Sequence, residues 1–330
     1  MDIDGKTILI TGGTGSIGSE LVKQVLTYNV AKVIIFSRDD IKQFSMKQKI
    51  ADPRLEIFVG DIRDYENLKS VFENNSIDIV FHAAAMKHLI IAENQPLEYV
   101  KTNILGTNNL IDLCIKYKVK KTITISTDKA ALPSSVMGAT KFIAERITLN
   151  GNINPDQKFS CIRFGNVANS RGSVIPIMVE RIKNGKDIWI TSPEVTRFLM
   201  KIPEAVKLVL KSEEIMQGGE IFILKMKSFK LGDLADIMEK KVAPLFNQNI
   251  NIEVKGLLTG EKLHEDLLSD LEVNYLFENK ELYMVSKNIK NPPQFTKSNV
   301  KSYISSDSEI ISPEELEQIV FDYIKNNNSL

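Results

Sequence analysis

Three short stretches of the chain carry side chains that could do chemistry. Thr11-Gly12-Gly13-Thr14-Gly15-Ser16-Ile17-Gly18 is crowded with glycine. Ser126-Thr127-Asp128-Lys129 sets hydroxyls, a carboxyl and an amine in consecutive positions. Met137-Gly138-Ala139-Thr140-Lys141 places a second amine one helical turn after a methionine. The first pattern suits an anion. Gly12 makes a tight turn, Gly15 lets backbone approach a pyrophosphate, and Gly18 lets a helix pack on a strand. Thr14, Ser16 and Ile17 complete the loop, and free N–H groups at the helix start face phosphate. The second pattern suits proton transfer. A carboxyl kept protonated by burial is a general acid, and a lysine with a lowered pKa is a base. An elimination needs such a neighbouring pair, whereas a plain redox step does not.

These stretches sit at the ends of expected strands. KTILIT (6–11), KVIIFS (32–37), LEIFVG (55–60), DIVFHA (78–83), KTITIS (121–126) and FSCIRF (159–164) are near-continuous apolar runs, as strands covered on both faces must be. SIGSELVKQVL, YENLKSVF and LGTNNLIDLCIKY between them have helical periodicity. Repeated strand–helix units give an α/β fold with a doubly wound parallel sheet of the Rossmann type. Residues 1–166 are expected to form a dinucleotide-binding domain, with later returns near 198–224. Residues 167–330 are expected to form mainly a smaller mixed, substrate-binding lobe. There VIPIMVERI, EAVKLVL and FKLGDLADIMEKKV suggest helices and GEIFIL a strand, while about 290–310 lacks pattern. Ser312-Pro313-Glu314-Glu315 is a helix start before LEQIVFDYI.

Ligands of such sheets bind beyond the carboxyl ends of the strands. Arg38 and Lys42, after the second strand, suit the 2′-phosphate of NADP better than the bare ribose of NAD, and Ser37 adds a donor. Asp61, followed by Ile62, is placed to meet adenine. Ala83, Ala84 and Ala85 are small enough to let the nicotinamide end approach backbone.

Bulk composition narrows the partners. The 330 residues are 43% apolar and 25% charged, with 42 basic against 42 acidic side chains. No global field therefore favours nucleic acid or an anionic membrane. No apolar run is long enough to span a bilayer, and the first residues lack a signal peptide's pattern, so a cytoplasmic location is expected. Cys114 and Cys161 lie in apolar stretches and are expected in the core. His82, His88 and His264 are far apart, so no metal site is expected. His82 is expected to be a buried, hydrogen-bonded strand-end residue.

Together TGGTGSIG, SRDDIKQ, GDIRD, HAAAMKH, STDKA, MGATK, RFGNV, SRGSVIP, TRF and GEKLHE resemble the UDP-N-acetylglucosamine 4,6-dehydratases, extended short-chain dehydrogenase/reductases. The resemblance runs to about residue 270. It implies a closed hydride loop: C4 of the sugar is oxidised, C5 loses a proton, the C6 hydroxyl leaves as water, and the hydride returns to C6. It implies Asp128 as the acid at C6, Lys129 as the base at C5, Thr127 on the C4 oxygen and Lys141 on the nicotinamide ribose. Met137 departs from the superfamily pattern, which has tyrosine there, although part of this group also carries methionine. Methionine cannot transfer a proton, so the C4 base is open among Thr127, a water, and Asp128 or Lys129 acting twice. On the substrate side the resemblance assigns Lys87 to the sugar. Asn103 is expected behind the catalytic strand, Asn166 at the UDP phosphates, Arg171 and Arg197 as local positive charge, and Glu261 at the uridine ribose. A homo-oligomer is implied, with helices 93–117 and 134–149 pairing. SRDDIKQ and GEKLHE lean toward inversion at C5, and MGATK toward retention. The competing readings are a nucleotide-sugar 4-epimerase or reductase, which has no use for the Asp128-Lys129 pair, and a non-catalytic dinucleotide sensor.

Overall fold

The computed structural model describes residues 3–290 and 292–326. Residues 1–2, Asn291 and 327–330 of the expected lobes lie outside the described residues. Six strands form the first part of the main sheet: β1 (Thr7–Thr11), β2 (Lys32–Ser37), β3 (Leu55–Val59), β4 (Ile79–His82), β5 (Lys121–Thr127) and β6 (Lys158–Phe164). They pair in parallel in the order β3-β2-β1-β4-β5-β6. The order reverses between β1 and β4, and a crevice opens beyond the strand ends at such a switch point. Ile8, Leu9, Ile10, Val33, Ile34 and Ile35 have no exposed surface. Burial on both faces is why these strands read as unbroken apolar runs, each side chain stabilising the sheet by about 1.5–3 kcal/mol.

Helices cover the sheet: α1 (Ser16–Leu26), α2 (Asp40–Ile50), α3 (Tyr65–Glu73), α4 (Leu89–Asn94), α5 (Pro96–Tyr99), α6 (Gly106–Lys116) and α7 (Val136–Asn150). The expected continuous helix over 93–117 is instead α4, α5, a π-helical turn at Val100–Leu105, and α6. Pro96 begins a new helix because it cannot donate within one. The π turn buries Thr102 and Asn103, and such insertions favour functional sites.

The main sheet continues beyond β6 with Ile221–Leu224, in parallel. Its other edge is then covered by Leu282–Val285, running antiparallel, followed by Leu276–Glu278 and Thr296–Lys297. The polar segment near 290–310 thus adds an edge strand, and it also buries Ser305 and packs Tyr303 on Phe198. The smaller lobe has a helix at Val174–Lys183 and one at Pro313–Asn326. A three-stranded sheet of Lys227–Lys230, Thr196–Met200 and Asn166–Val167 joins them, with a parallel pair of Ile188–Ile190 and Ile252–Val254. Ile175, Met178, Phe229, Leu234, Leu316 and Val320 centre its core. FKLGDLADIMEKKV is part strand rather than all helix: Phe229 and Lys230 end a strand, and the helix begins at Leu231.

The two halves of the chain meet at Arg163 on β6, which has no exposed surface. It donates to both oxygens of Glu145 on α7, at 2.8 and 2.7 Å, and to both oxygens of Glu272, each at 2.8 Å. Ser126 Oγ donates to Glu145 Oε1 at 2.6 Å, which ties the same network to the end of β5. Cys114 and Cys161 are free and buried. No helix among the described residues is long and apolar enough to cross a membrane.

Candidate active site

The glycine loop links β1 to α1. Gly12 has φ +67°, and a Cβ there would lie 2.7 Å from the Ala84 nitrogen. A Cβ on Gly18 would lie 2.2 Å from the Gly12 carbonyl oxygen. The turn is therefore pressed between α1 and the Ala83-Ala84-Ala85 segment after β4, where only glycine fits. Gly15 caps α1 without a side-chain hydrogen bond, so the first amides of the helix stay available to an anion. This cradle fits the pyrophosphate of a dinucleotide.

Around it the sequence-predicted residues are unevenly engaged. Thr14 Oγ1 donates to Ser37 Oγ at 3.2 Å, and Ser37 also receives Gln43 Nε2 at 2.9 Å. Asp61 accepts the Arg63 guanidinium and stands 3.8 Å from Arg38. Burial would raise the Asp61 carboxyl, but the hydrogen bonds and charge of Arg63, with Arg38 behind it, hold it below its usual value. The Arg38 side chain is 59% exposed and so free to swing. Lys42 is taken up by Asp39. Ile62 is a core residue packed on Gly106. Arg171 reaches over the loop: its N–H donates to Ser16 Oγ at 3.0 Å and its guanidinium to the Thr14 carbonyl. Lys87 Nζ in turn donates to the Arg171 carbonyl at 2.8 Å. The segments after β4 and β6 therefore meet above the start of α1.

The strand ends are fixed from behind. His82, 2% exposed, holds Thr11 Oγ1 at 2.7 Å and Thr107 Oγ1 at 2.9 Å. Burial, helped by the Lys141 charge, pushes its imidazole down to about 3, so it is a neutral tie. Asn103 accepts the Met86 N–H at 2.8 Å and donates to the Met86 carbonyl at 3.0 Å and to Thr140 Oγ1 at 3.1 Å. It clamps the Ala83–Lys87 segment to α7. Met137 is buried with Ala92 and Tyr99, and Met86 and Leu89 pack on them. Lys141, one turn later, donates to the Ile125 carbonyl at 2.6 Å, and burial pulls its ammonium pKa down against the Glu145 charge.

At the end of β5 the chain turns through a short 3-10 segment at Asp128–Ala130. Asp128 is 1% exposed. Its Oδ1 accepts Thr127 Oγ1 at 2.6 Å, the Lys129 N–H at 2.9 Å and Lys129 Nζ at 3.2 Å. Its Oδ2 is buried with no partner among the described residues. Gly165, just before Asn166 in the strand Asn166–Val167, keeps that side open: a Cβ there would come 3.4 Å from Oδ2 and 2.4 Å from Phe198 Cβ.

Lys129 Nζ also lies 3.0 Å from Glu265 Oε1, and Arg197 Nε lies 3.7 Å from the same oxygen. Arg197 is paired with Glu261 at 2.7 Å. Sequence reasoning took Arg197 and Glu261 as separate ligand contacts. Here they face each other and close one side of the Asp128 cluster. The expected fall in the Lys129 pKa does not occur in this state. Burial pushes it down, but the Asp128 and Glu265 charges more than reverse this. Glu265 is itself 1% exposed, and burial, reinforced by Asp128, raises its carboxyl against the pull of Lys129 and Arg197. Glu265 was not assigned from the sequence. Its signal was there in GEKLHE, whose two acidic residues are four apart.

Buried Asp128, Arg197 and Glu265, with partly buried Thr127, Lys129 and Glu261, thus form one charged cluster at the carboxyl end of β5. A groove of about 600 Å³ lies elsewhere, along Val174–Lys183, and touches the expected residues only at Arg171. The cluster, rather than that groove, has the chemistry. It can give a proton from one buried carboxyl and move another between an amine and a second carboxyl.

Comparison with known proteins gives three findings. Residues 8–287 match the family described as polysaccharide biosynthesis protein. A UDP-N-acetylglucosamine 4,6-dehydratase (inverting) of Campylobacter jejuni is 44% identical over 86% of this chain and 84% of its own, and a UDP-glucose 4-epimerase of Rickettsia bellii is 38% identical over 81% and 79%. Among solved structures, Pen from Bacillus thuringiensis superposes with a TM-score of 0.91 at 37% identity, covering 98% of this chain and 99% of that one.

Proposed function

The chain belongs to the polysaccharide biosynthesis protein family, and from that premise we propose that it is a nucleotide-sugar 4,6-dehydratase. The substrate is UDP-N-acetylglucosamine, the product its 4-keto-6-deoxy derivative, and NADP is the cofactor. The observation that carries this reading is the buried Asp128–Lys129 pair, whose Oδ2 has no partner among the described residues. Holding such a cluster out of water is costly, and a reaction confined to oxidation and reduction has no use for it.

NADP would supply the hydride acceptor for oxidation at C4 and the hydride donor for reduction at C6. Gly12, Thr14, Gly15, Ser16, Ile17 and Gly18 would hold its pyrophosphate, Ser37 and Arg38 the 2′-phosphate, Asp61 with Ile62 the adenine, and Ala83–Ala85 with Lys141 the nicotinamide end. The rest falls to the protein's side chains. Thr127 donates its hydrogen bond to Asp128 Oδ1, so its oxygen accepts the C4 hydroxyl proton as C4 is oxidised and its own proton passes to Asp128. Asp128, protonated in that step, gives a proton to the C6 oxygen, which leaves as water. Lys129 removes the C5 proton, which the 4-keto group has made acidic. Arg171 supplies positive charge for the diphosphate, Lys87 and Asn166 make sugar and phosphate contacts, and Arg197 with Glu261, paired to each other, closes the side of the Asp128 cluster. Met137 contributes packing only. Inversion at C5 is the preferred outcome, supported by the 44% identical inverting relative.

Exposed Ile90, Leu97, Leu105 and Ile143 support a homo-oligomer in which the α4–α7 surface is covered.

The test is to mix the protein with UDP-N-acetylglucosamine in D2O and follow the sugar by NMR. A 4-keto-6-deoxy product with deuterium at C5 is expected, and its ring couplings give the configuration there. The second reading, a 4-epimerase, is favoured by the 38% identical relative. It predicts a C4 epimer with hydrogen retained at C5 and C6 unchanged, and that result would replace the dehydratase reading.

Cofactor choice has its own test. Arg38→Ala is expected to weaken NADP about tenfold, roughly the 1.4 kcal/mol of one exposed charged contact. NAD affinity should stay as it was. Equal loss of both, by isothermal titration, would remove Arg38 from the 2′-phosphate site.

A further inference from the structure

Glu265 takes no part in the roles above, yet it is buried against the residue that must act as a base. A lysine held by two carboxylates is an ammonium, and an ammonium cannot accept a proton. Before C5 can be deprotonated, one Lys129 proton must leave, and a carboxylate in contact with Nζ gives it the shortest path. Among the described residues, two carboxylates face Nζ: Asp128 Oδ1 at 3.2 Å and Glu265 Oε1 at 3.0 Å. Asp128 Oδ1 already accepts from Thr127 and from the Lys129 N–H. Glu265 Oε1 faces Lys129, and its Oε2 is buried without a hydrogen-bond partner among the described residues.

We propose that Glu265 receives the ammonium proton of Lys129, so that Lys129 meets C5 as a neutral amine. This rests on the reading of Lys129 as the C5 base. Glu265 acts through Lys129 and is a positioning residue. The step balances. One Nζ–H bond breaks, an O–H bond forms on Glu265, and an ion pair becomes a neutral pair. The C5 proton then goes to Nζ, and its electron pair enters the enolate of the 4-keto sugar. That enolate expels the C6 oxygen, which takes the Asp128 proton and leaves as water.

Burial of the cluster favours the neutral pair, while Asp128 beside Nζ and Arg197 beside Glu265 favour the ion pair. Asp128 faces the pair from the turn after β5 and Arg197 from the strand Thr196–Met200, while Glu261 reaches the pair only through Arg197. His264 turns away to Thr196 Oγ1 at 2.8 Å. Three carboxylates thus stand against two cations, and burying that imbalance disfavours the anionic form of Glu265. Burial and the neighbouring Asp128 raise the Glu265 carboxyl accordingly. The acceptor is held still: the Glu265 N–H donates to Ser305 Oγ at 2.9 Å, and the Ser305 N–H donates to the Glu265 carbonyl at 2.9 Å.

The experiment uses the purified holoenzyme with UDP-N-acetylglucosamine in D2O. Two signals are read: absorbance of reduced nicotinamide, which reports C4 oxidation, and deuterium entering C5. Glu265→Gln is expected to keep nicotinamide reduction while C5 exchange falls about 100-fold or more. Its residual exchange should rise with pH, because the amine must then lose its proton to solvent. Glu265→Asp, which restores the acceptor, should recover about tenfold of the loss. Exchange at the parent rate in Glu265→Gln, with exchange lost in Lys129→Met, would overturn the proposal and leave Lys129 as the base. Loss of nicotinamide reduction and exchange together in both Glu265 variants would reduce Glu265 to a structural part. Parent-rate exchange in Lys129→Met would remove Lys129 itself, and the proposal with it.

Discussion

The Asp128→Asn, Lys129→Ala double variant is expected to bind cofactor and UDP-N-acetylglucosamine and to form no 4-keto-6-deoxy product. A positioned acid or base contributes about 10²–10⁴-fold each. The two lie 3.2 Å apart and act on one elimination, so their losses do not simply multiply. A fall in kcat of at least about 10⁴ is the expected result. Binding should survive because the glycine cradle, Arg171 and Arg38 lie outside the changed pair. The amide of Asn still accepts at Oδ1, so the turn after β5 keeps its hydrogen bond from Thr127. Calorimetry with each ligand and NMR of the sugar measure the two halves of the statement. Product at the parent rate would take the cluster out of the mechanism.

Arg163→Met should be the most damaging single change to stability away from the reaction centre. The guanidinium has no exposed surface and makes four charged hydrogen bonds to Glu145 and Glu272. Removing it leaves two facing carboxylates in a dry site, and uncompensated buried charges of this kind cost about 3–5 kcal/mol. The loss is read as a lower urea midpoint of the cooperative transition. Adding Glu145→Gln and Glu272→Gln to Arg163→Met should return part of it, since no unpaired charge then remains. A drop below about 1 kcal/mol in Arg163→Met would mean that water reaches the network. Activity should also fall, because Glu145 holds Ser126, immediately before Thr127 and Asp128.

What the sequence disclosed follows from how each part is buried. β1, β2, β4, β5 and β6 were legible because both faces are covered, and a doubly covered strand has no choice but a continuous apolar run; the edge strand β3, with only Leu55 buried, showed through its β-branched and aromatic residues. The glycine loop was legible because a Cβ at Gly12 or Gly18 collides with backbone, so residue type alone reports geometry. α2 left no such mark: its only buried residue is Gln43, while Ile41 and Phe44 are exposed. The π turn at Val100–Leu105 shifts the face on which Asn103 falls, which a 3.6-residue period cannot anticipate. Tyr303 and Ser305 are held by long-range side-chain bonds rather than by any local pattern. The site divided in the same way. Asp128 and Lys129 stand at a strand end, where topology assigns a role. Glu265 comes from a loop in the second half, and only the fold reveals that it meets Lys129. Arg197 and Glu261 were each noticed, but their pairing depends on distances that no spacing encodes.

The antiparallel strand Leu282–Val285 covers the edge of Ile221–Leu224. During synthesis that edge emerges first. At roughly 5–20 residues per second, the ribosome takes about 3–12 s to add the chain from Leu224 to Leu282. Over that interval the apolar strand Ile-Phe-Ile-Leu presents unpaired backbone to any neighbouring nascent chain. A transcript cut short before Leu276 would fix that state permanently. Such fragments should accumulate as insoluble material or be cleared by proteases, even though they already contain the complete glycine loop and the Asp128–Lys129 pair.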